Sequence, residues 1–216
     1  KSRVDLLKPE IEFLGAASKR IFALGVRVRR RLIENFQQRT PRKKLFFHPA
    51  SLHPKIARCL VNLSRPAPNS AILDPFCGTG TILIEAGLMG FEALGGDLLI
   101  KMAKGSKTNL NYFEVSKSHI ALWDALHLPL KDTGRIVTNP PYGRSTSTRG
   151  LNPYVLVDSF LRAVTCGETP RTIVVALPFT TRTRDELDRN GLKIHERHLV
   201  YVHKSLTREI LVLSQW

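Results

Sequence analysis

The chain has 216 residues, of which 33 are Lys or Arg and 18 are Asp or Glu, giving a formal net charge of +15. This length and a hydrophobic fraction of 43% suffice for a globular domain without metal or disulfide staples, and the three cysteines have neither metal-ligand nor disulfide spacing. No apolar run nears the roughly 20 residues that span a bilayer and no signal peptide is visible, so we expect a cytoplasmic protein without a metal site.

The positive charge is concentrated at the N-terminus. Residues 1–45 hold 13 Lys or Arg and 4 Asp or Glu, so we treat them as a basic leader and residues 46–216 as the main domain. A strand is predicted over residues 21–28 (IFALGVRV), followed directly by a basic loop. A positive field attracts polyanions, nucleic acid first, although a solvated charged face remains the alternative. The candidate contacts in the leader are Arg29, Arg30, Arg31, Arg42, Lys43 and Lys44.

The rest of the chain alternates between strand and helix patterns. Residues 53–63 predict a short amphipathic helix with Pro54 in its first turn. From Ala71 onward, strands AILD, FEALGGD, HIALWD, GRIVTN and RTIVVALPF alternate with helical segments, which indicates a parallel α/β sheet. A further helix is predicted at residues 184–191.

Two long extended runs, residues 192–205 and 206–216, follow with only a short join between them. A join of that length cannot form a crossover, so this pair is predicted to be antiparallel. We therefore predict a class I methyltransferase fold, Rossmann-like, with a mostly parallel seven-stranded sheet and a C-terminal antiparallel hairpin.

The segment DPFCGTGT, residues 74–81, follows the first strand of this pattern and opens a helix. Ligands of open α/β sheets bind at such a position. Gly78 and Gly80 would let the backbone turn tightly and approach a ligand, and the helix start would offer N–H groups to an anion. The dinucleotide and triphosphate glycine motifs are both absent from the sequence.

Two more acidic residues occur at predicted strand ends. Asp97 ends the next strand and could accept hydrogen bonds from both ribose hydroxyls. Asp124 ends the third strand and could bind an adenine amine, with the Ala125 N–H reaching the ring. Any one of these acids could simply cap a helix, but three in register with a glycine turn favour one adenosine ligand, S-adenosylmethionine.

The motif TNPPYG, residues 138–143, follows the fourth strand and should lie at the same edge of the sheet. An amine on an aromatic ring is a weak nucleophile, and the Asn139 side-chain oxygen and the Pro140 carbonyl could accept its two protons and stabilise the charge that develops. Tyr142 could stack on the base. The structural alternative is a rigid turn with a packed tyrosine.

In this order and spacing, DPFCGTG, GGD, WDA and TNPPYG resemble the methyltransferase domain of the THUMP-associated RNA guanine-N2 methyltransferases, from about Lys44 to the end. Residues 46–54 are similar to the family segment that covers the cofactor. The resemblance implies S-adenosylmethionine as cofactor and the following binding residues: His48, Ser51, Asp74, Phe76, Cys77, Gly78, Thr79, Gly80, Thr81, Asp97, Leu98, Asp124, Ala125 and Asn139.

TNPPYG followed by Arg144 and the polar run STSTRG, which includes Arg149, looks most like the archaeal and eukaryotic enzymes acting on guanine 10 of tRNA. The resemblance implies N2-methylguanosine with one or two methyl groups, tRNA contacts at both arginines, and a THUMP domain upstream of this chain. Many of those enzymes have Asp in place of Asn139, whereas Asn is common in the rRNA guanine-N2 branch, so rRNA remains an alternative substrate.

Other functions remain open from the residues alone. DNA adenine-N6 or cytosine-N4 methyltransferases use similar NPPY chemistry, but no extra segment large enough to read DNA is present. Protein glutamine methyltransferases present an amide to the same motif and would not need a basic leader. The last alternative is a catalytically inert module that binds RNA through its leader.

Overall fold

Residue contacts divide the chain into two units, Lys1–Gln37 and Gln38–Trp216. The structure is a computed structural model, and it describes residues 4–5, 9–27, 34–130, 134–141, 152–166, 172–179, 191–204 and 206–215. Arg39 and Lys44 already belong to the second unit, which therefore takes in the end of the segment that we treated as leader.

The first unit contains an antiparallel hairpin. Strand β1 (Phe13–Ala17) pairs with β2 (Phe22–Val26), with Phe13 opposite Val26, and a short helix α1 (Glu34–Gln37) follows. The strand predicted over residues 21–28 is confirmed over the bounds of β2. Its partner β1 was not predicted, because the sequence FLGAA has few β-branched residues. Arg29, Arg30 and Arg31 lie outside the described residues.

The second unit contains the main sheet and its helices. Its elements are α2 (Pro54–Leu63), β3 (Ala71–Asp74), α3 (Thr81–Gly87), β4 (Glu92–Asp97), α4 (Ile100–Tyr112), β5 (Ser118–Leu122), β6 (Arg135–Thr138), α5 (Pro153–Thr165), β7 (Thr172–Pro178), β8 (Leu192–His203) and β9 (Leu206–Gln215). The helix predicted at residues 184–191 falls almost entirely outside the described residues.

The seven strands are ordered β5-β4-β3-β6-β7-β9-β8. Neighbours from β5 to β7 are parallel, whereas β9 is antiparallel to both β7 and β8. The predicted fold class is therefore confirmed, including the antiparallel pair. The strand order reverses direction between β3 and β6, which is the switch point where open α/β sheets bind ligands.

The sheet is covered on both faces, which explains its nearly continuous apolar strands. Along β7, Ile173, Val175 and Leu177 pack into a cluster with α5, and Val174 and Ala176 pack into a second cluster with α2. The helices thus hold the strand ends in fixed positions. No helix in the described part of the chain is long and apolar enough to cross a membrane.

Candidate active site

The carboxyl ends of four neighbouring strands carry polar side chains. Asp97 ends β4 and Asp74 ends β3, Asn139 follows the end of β6, and Asp124 lies two residues beyond β5. Strands are about 4.8 Å apart, so four adjacent strand ends make a row about 14 Å long. The structure brings these four predicted residues to one edge of the sheet.

The glycine turn lies above the end of β3. Gly78 has φ +52° and Gly80 φ +78°, a backbone region that side chains rarely adopt. A Cβ atom built on Gly80 would meet the Ser106 hydroxyl oxygen at 2.4 Å, whereas one on Gly78 would meet, among the described residues, only the Phe76 carbonyl oxygen at 4.0 Å. The turn is therefore packed against α4 at Gly80 and open at Gly78.

Asp97 holds the open side of this turn. One carboxylate oxygen accepts the Gly78 N–H at 3.1 Å and the other accepts the Leu99 N–H at 2.9 Å. Burial raises the pKa of Asp97, and the hydrogen bonds from Leu99 and Gly78 oppose that rise. Each carboxylate oxygen can accept a further hydrogen bond. Leu98, predicted to contact the cofactor, is exposed beside it.

Asp74 is a buried carboxyl that joins two strands. It accepts the Thr138 hydroxyl at 2.7 Å and the Phe76 N–H at 3.2 Å, and its exposed fraction is 2%. Burial raises the pKa of Asp74 to about 7, with a smaller contribution from Asp97. These hydrogen bonds make Asp74 a residue that positions the glycine turn against β6; a cofactor contact there remains a prediction.

The raised pKa of Asp74 predicts a pH-dependent stability. Between about pH 4 and 7 the folded protein keeps a proton that the unfolded chain releases, so this carboxyl lowers the free energy of unfolding as pH rises. Asp74→Asn keeps the acceptor and removes the titration. Across this window we expect the free energy of unfolding of the variant to rise relative to that of the wild type, by at most about 4 kcal/mol. Urea unfolding at several pH values measures this difference. A similar gain in the surface variant Asp158→Asn would contradict this assignment.

Lys44 was predicted to contact RNA, and the structure corrects this. Its exposed fraction is 6%, and its ammonium donates to the Thr79 hydroxyl at 3.2 Å and to the Thr81 hydroxyl. Burial lowers the pKa of Lys44 to about 7, against the attraction of Glu85. A buried ammonium cannot reach a phosphate. Its neighbours Arg42 and Lys43 are exposed, and their RNA contacts remain predictions.

The segment after Lys44 packs against the glycine turn. The Thr79 hydroxyl donates to the Ser51 hydroxyl oxygen at 2.9 Å, and Ser51 donates to the His48 carbonyl at 2.6 Å. The His48 imidazole accepts the Ala50 N–H at 3.2 Å. The structure thus brings His48 and Ser51 to the turn, as the resemblance implied, while their contact with a cofactor remains a prediction.

Asn109 is a residue of the site that the sequence analysis missed. This fully buried amide accepts the Phe46 N–H at 2.9 Å and donates to the Phe46 and Thr79 carbonyls, both at 2.9 Å. It therefore fastens two separate segments to α4. The signal was an Asn on the same helix face as Ala103 and Ser106, at the spacing of a buried stripe.

Asn109→Leu should destabilise the protein. The substitution keeps the volume but leaves three backbone groups of Phe46 and Thr79 without their partner, and a buried unsatisfied group costs about 1–3 kcal/mol. We expect the free energy of unfolding to fall by about 3 kcal/mol or more, measured by urea denaturation. Asn111→Leu on the exposed side of the same helix is the matched control. Equal losses in both variants would show that Asn109 acts only through helix propensity.

A buried ion cluster lies beneath the turn. The Glu85 side chain of α3 is 0% exposed. Its carboxylate forms ion pairs with Arg39 at 2.7 Å and with Arg58 at 2.8 Å. Both guanidinium groups are also largely buried. A buried carboxylate is tolerated when it is paired and hydrogen-bonded in this way. The cluster connects α3 to α2 and to the segment that leads into Lys44.

Trp123 packs against the β3–β4 part of the row. Its indole N–H donates to the Pro75 carbonyl at 3.2 Å, and its ring lies so close to Gly96 that a Cβ there would approach it to 2.4 Å. Asp124 accepts the Leu126 N–H at 3.1 Å and lies 3.1 Å from the His127 imidazole nitrogen. Ala125 is buried in the core. Trp123 was not among the residues predicted from the sequence.

The described residues that were predicted to be catalytic lie at the other end of the row. Thr138 and Pro140 are buried and Asn139 is half-buried between them. The Phe76 ring packs edge-on against the Phe160 ring of α5, with ring centroids 5.2 Å apart. The remaining residues predicted on this side, Tyr142, Arg144 and Arg149, lie outside the described residues. Among the described residues, no group of His, Cys, Asp and Glu could hold a metal ion.

Residues 41–210 match the family model of the UPF0020 group, described as an RMKL-like methyltransferase domain. The chain belongs to this family. The tRNA (guanine(10)-N2)-dimethyltransferase of Methanothermobacter thermautotrophicus is 38% identical over 99% of this chain and 64% of that relative. The enzyme of the same name from Pyrococcus abyssi is 34% identical over 98% of this chain and 64% of that relative.

Solved structures agree with the fold. TrmN from Thermus thermophilus superposes with a TM-score of 0.66 at 26% identity, over 98% of this chain and 62% of that chain. A precorrin-6y C5,15-methyltransferase from Geobacter metallireducens has a TM-score of 0.63 at 14% identity, over 81% of this chain and 95% of that chain, and this likeness concerns the fold alone. The chain spans just under two thirds of the length of the two tRNA methyltransferases.

Proposed function

We propose that this chain is the catalytic part of an S-adenosylmethionine-dependent enzyme that methylates the exocyclic N2 amine of a guanine in tRNA, at guanine 10. The observation that carries the proposal is the row of acceptors Asp124, Asp97, Asp74 and Asn139 along consecutive strand ends, beside a glycine turn that is open at Gly78. The identity to tRNA (guanine(10)-N2)-dimethyltransferases supports the choice of substrate. A tRNA substrate implies a cytoplasmic enzyme.

The residues present fit the cofactor. Asp97 lies at the open side of the turn with acceptor capacity left for ribose hydroxyls, and Asp124 is the proposed acceptor for an adenine amine. Gly78 keeps the backbone approachable, since no Cβ projects from it. When bound, S-adenosylmethionine supplies an electrophilic methyl group on a sulfonium. The glycine turn, Asp97 and Asp124 would hold this cofactor.

Asn139 and Pro140 would act on the guanine amine. The lone pair of that amine is delocalised into the ring, so acceptors aimed at its two N–H groups favour a more tetrahedral nitrogen and stabilise positive charge in the transition state. The Asn139 side-chain oxygen and the Pro140 carbonyl are the proposed acceptors. Neutral Asn139 is a poor base, so the proton leaves to water after transfer, and positioning carries the rate. A base reached in this way must be unstacked from its neighbours.

The decisive experiment is methyl transfer from radiolabelled S-adenosylmethionine to an unmodified tRNA transcript, followed by nuclease digestion and nucleoside analysis. It should use this chain and a version extended upstream, because the proposal includes a THUMP domain there. We expect labelled N2-methylguanosine at position 10. A transcript with inosine at position 10 lacks the amine and should stay unlabelled. Label in adenosine or in protein, or transfer to an rRNA transcript but none to the tRNA transcript, would refute the proposal.

Asp97→Ala should weaken cofactor binding. The substitution removes the acceptors proposed for the ribose and releases the Gly78 N–H that Asp97 holds. We expect the dissociation constant of S-adenosylmethionine to rise by about 10-fold or more, since hydrogen bonds to charged groups contribute about 1.5–3 kcal/mol each. Titration calorimetry measures this. Unchanged affinity in a folded variant would show that the ribose is held elsewhere.

A further inference from the structure

The β8–β9 hairpin extends past the edge of the sheet where the proposed active site lies. Thr138 at the end of β6 is level with Val175 of β7, and Val175 is level with Leu211 of β9. Strand β9 begins at Leu206, five residues before that level, and a strand rises about 3.3 Å per residue. The hairpin therefore projects about 17 Å beyond the end of β6.

The projecting part lies on the side of Asn139 opposite the proposed adenosine site. In the strand order, β4 and β5 lie on one side of β3 and β6, and β7, β9 and β8 lie on the other. We call residues 199–204 and 206–208 the hairpin end. A base held at Asn139 while the cofactor occupies the β3–β5 side would have the hairpin end on its other side, beyond β7.

The composition of the hairpin end suits a polyanion with stacked bases. The hairpin end holds one arginine, one lysine and one histidine and no acidic residue. Arg197 is already engaged with Glu209 and lies over the Phe179 ring, 5.5 Å from its centroid. Lys204 is exposed at the turn, and Tyr201 is 70% exposed.

We propose that the hairpin end, through Tyr201 and Lys204, is a docking surface for the RNA substrate beside the active site; this inference rests on the proposed function. A cation contacts the phosphate backbone, and an exposed aromatic ring stacks on an unpaired base whatever its identity. The surface thus adds affinity and orientation without reading sequence.

A second copy of the chain is a poorer fit to this surface. An edge strand invites strand addition when it is flat and regular, but β8 has register shifts at Ile194/Glu196 and at Tyr201/His203. Such irregularities and edge lysines disfavour pairing between sheets. The charge and the aromatic ring then favour RNA.

The test compares Tyr201→Ala/Lys204→Glu with a matched double variant, Tyr112→Ala/Lys117→Glu. Tyr112 and Lys117 are an exposed aromatic and an exposed lysine at the opposite, amino edge of the sheet. The measurements are kcat and KM for the tRNA transcript, the RNA dissociation constant at several salt concentrations, and S-adenosylmethionine affinity, using the protein form that is active in the transfer assay.

We expect the hairpin variant to raise KM and the RNA dissociation constant by about 10-fold or more and to lower the salt slope by about 1. Its kcat at saturating RNA and its cofactor affinity should stay near wild type, as should every value for the control. RNA affinity equal to wild type, or an equal loss in the control, would overturn the inference alone. If sedimentation showed that the wild type is a dimer and the hairpin variant is not, while RNA affinity stayed unchanged, the surface would be assigned to self-association instead. Absence of transfer by the wild type would overturn the proposed function and this inference with it.

Discussion

Asn139→Ala is expected to lower methyl transfer by about 10²-fold or more while S-adenosylmethionine affinity stays near wild type. Asn139 follows β6 at the end of the row, and its proposed partner is the amine of the substrate. Removing one preorganised hydrogen-bond group that acts on developing charge typically costs 10²–10³-fold in rate. Single-turnover transfer at saturating RNA measures the chemical step, and calorimetry measures cofactor binding.

Asn139→Asp is the matched control for this prediction. Its carboxylate offers an oxygen at the same position, so it should retain much of the transfer that the alanine variant loses. Thermal unfolding of both variants separates a lost acceptor from a damaged turn, because Thr138 and Pro140 on either side are buried. Transfer near wild type in the alanine variant, or lost cofactor affinity, would remove Asn139 from its proposed role.

Glu85→Gln is expected to have the largest effect on stability. The carboxylate is fully buried between Arg39 and Arg58, and a neutral amide leaves two largely buried cations without a counter-charge. Breaking a buried ion pair by removing one partner costs about 3–5 kcal/mol. Urea denaturation should show this loss in the free energy of unfolding, and the variant should bind the cofactor when folded, since Glu85 lies beneath the turn.

Glu92→Gln is the control for the buried carboxylate. Glu92 is paired with His119 at 3.7 Å with a side chain that is 44% exposed, and such exposed pairs contribute about 1 kcal/mol or less. A change within about 0.5 kcal/mol is expected for this surface site. If the two variants lost the same stability, the Glu85 cluster would contribute no more than a surface pair.

The strand ends of the site were predictable because local patterns determine them. Each of Asp74, Asp97 and Asn139 directly follows a short apolar strand in the sequence, and parallel strands bring their carboxyl ends to one edge. The antiparallel pairing of β8 with β9 followed in the same way from a join too short for a crossover. Periodicity and connection length predict the strand ends and the strand direction without knowledge of which residues pack against each strand.

The support of the site was not predictable, because it depends on contacts between distant segments. In the sequence, Lys44 is the last residue of a basic run, which predicts an exposed side chain. In the structure it packs against Thr79 and Thr81, more than thirty residues away. Glu85 and Asn109 read as ordinary polar positions on helices, and only the packed helices make them buried. Charge and composition give no sign of which polar side chains face inward.

Strand order also constrains when the sheet can be completed during synthesis. Strand β9 follows β8 in the chain but lies between β7 and β8, so β8 has no sheet neighbour until β9 has left the ribosome. Chains emerge at about 5–20 residues per second, and an unpaired strand with apolar residues is an aggregation hazard during that interval. The charged residues of β8, Lys193, Glu196 and Arg197, thus protect the nascent chain as well as the finished sheet.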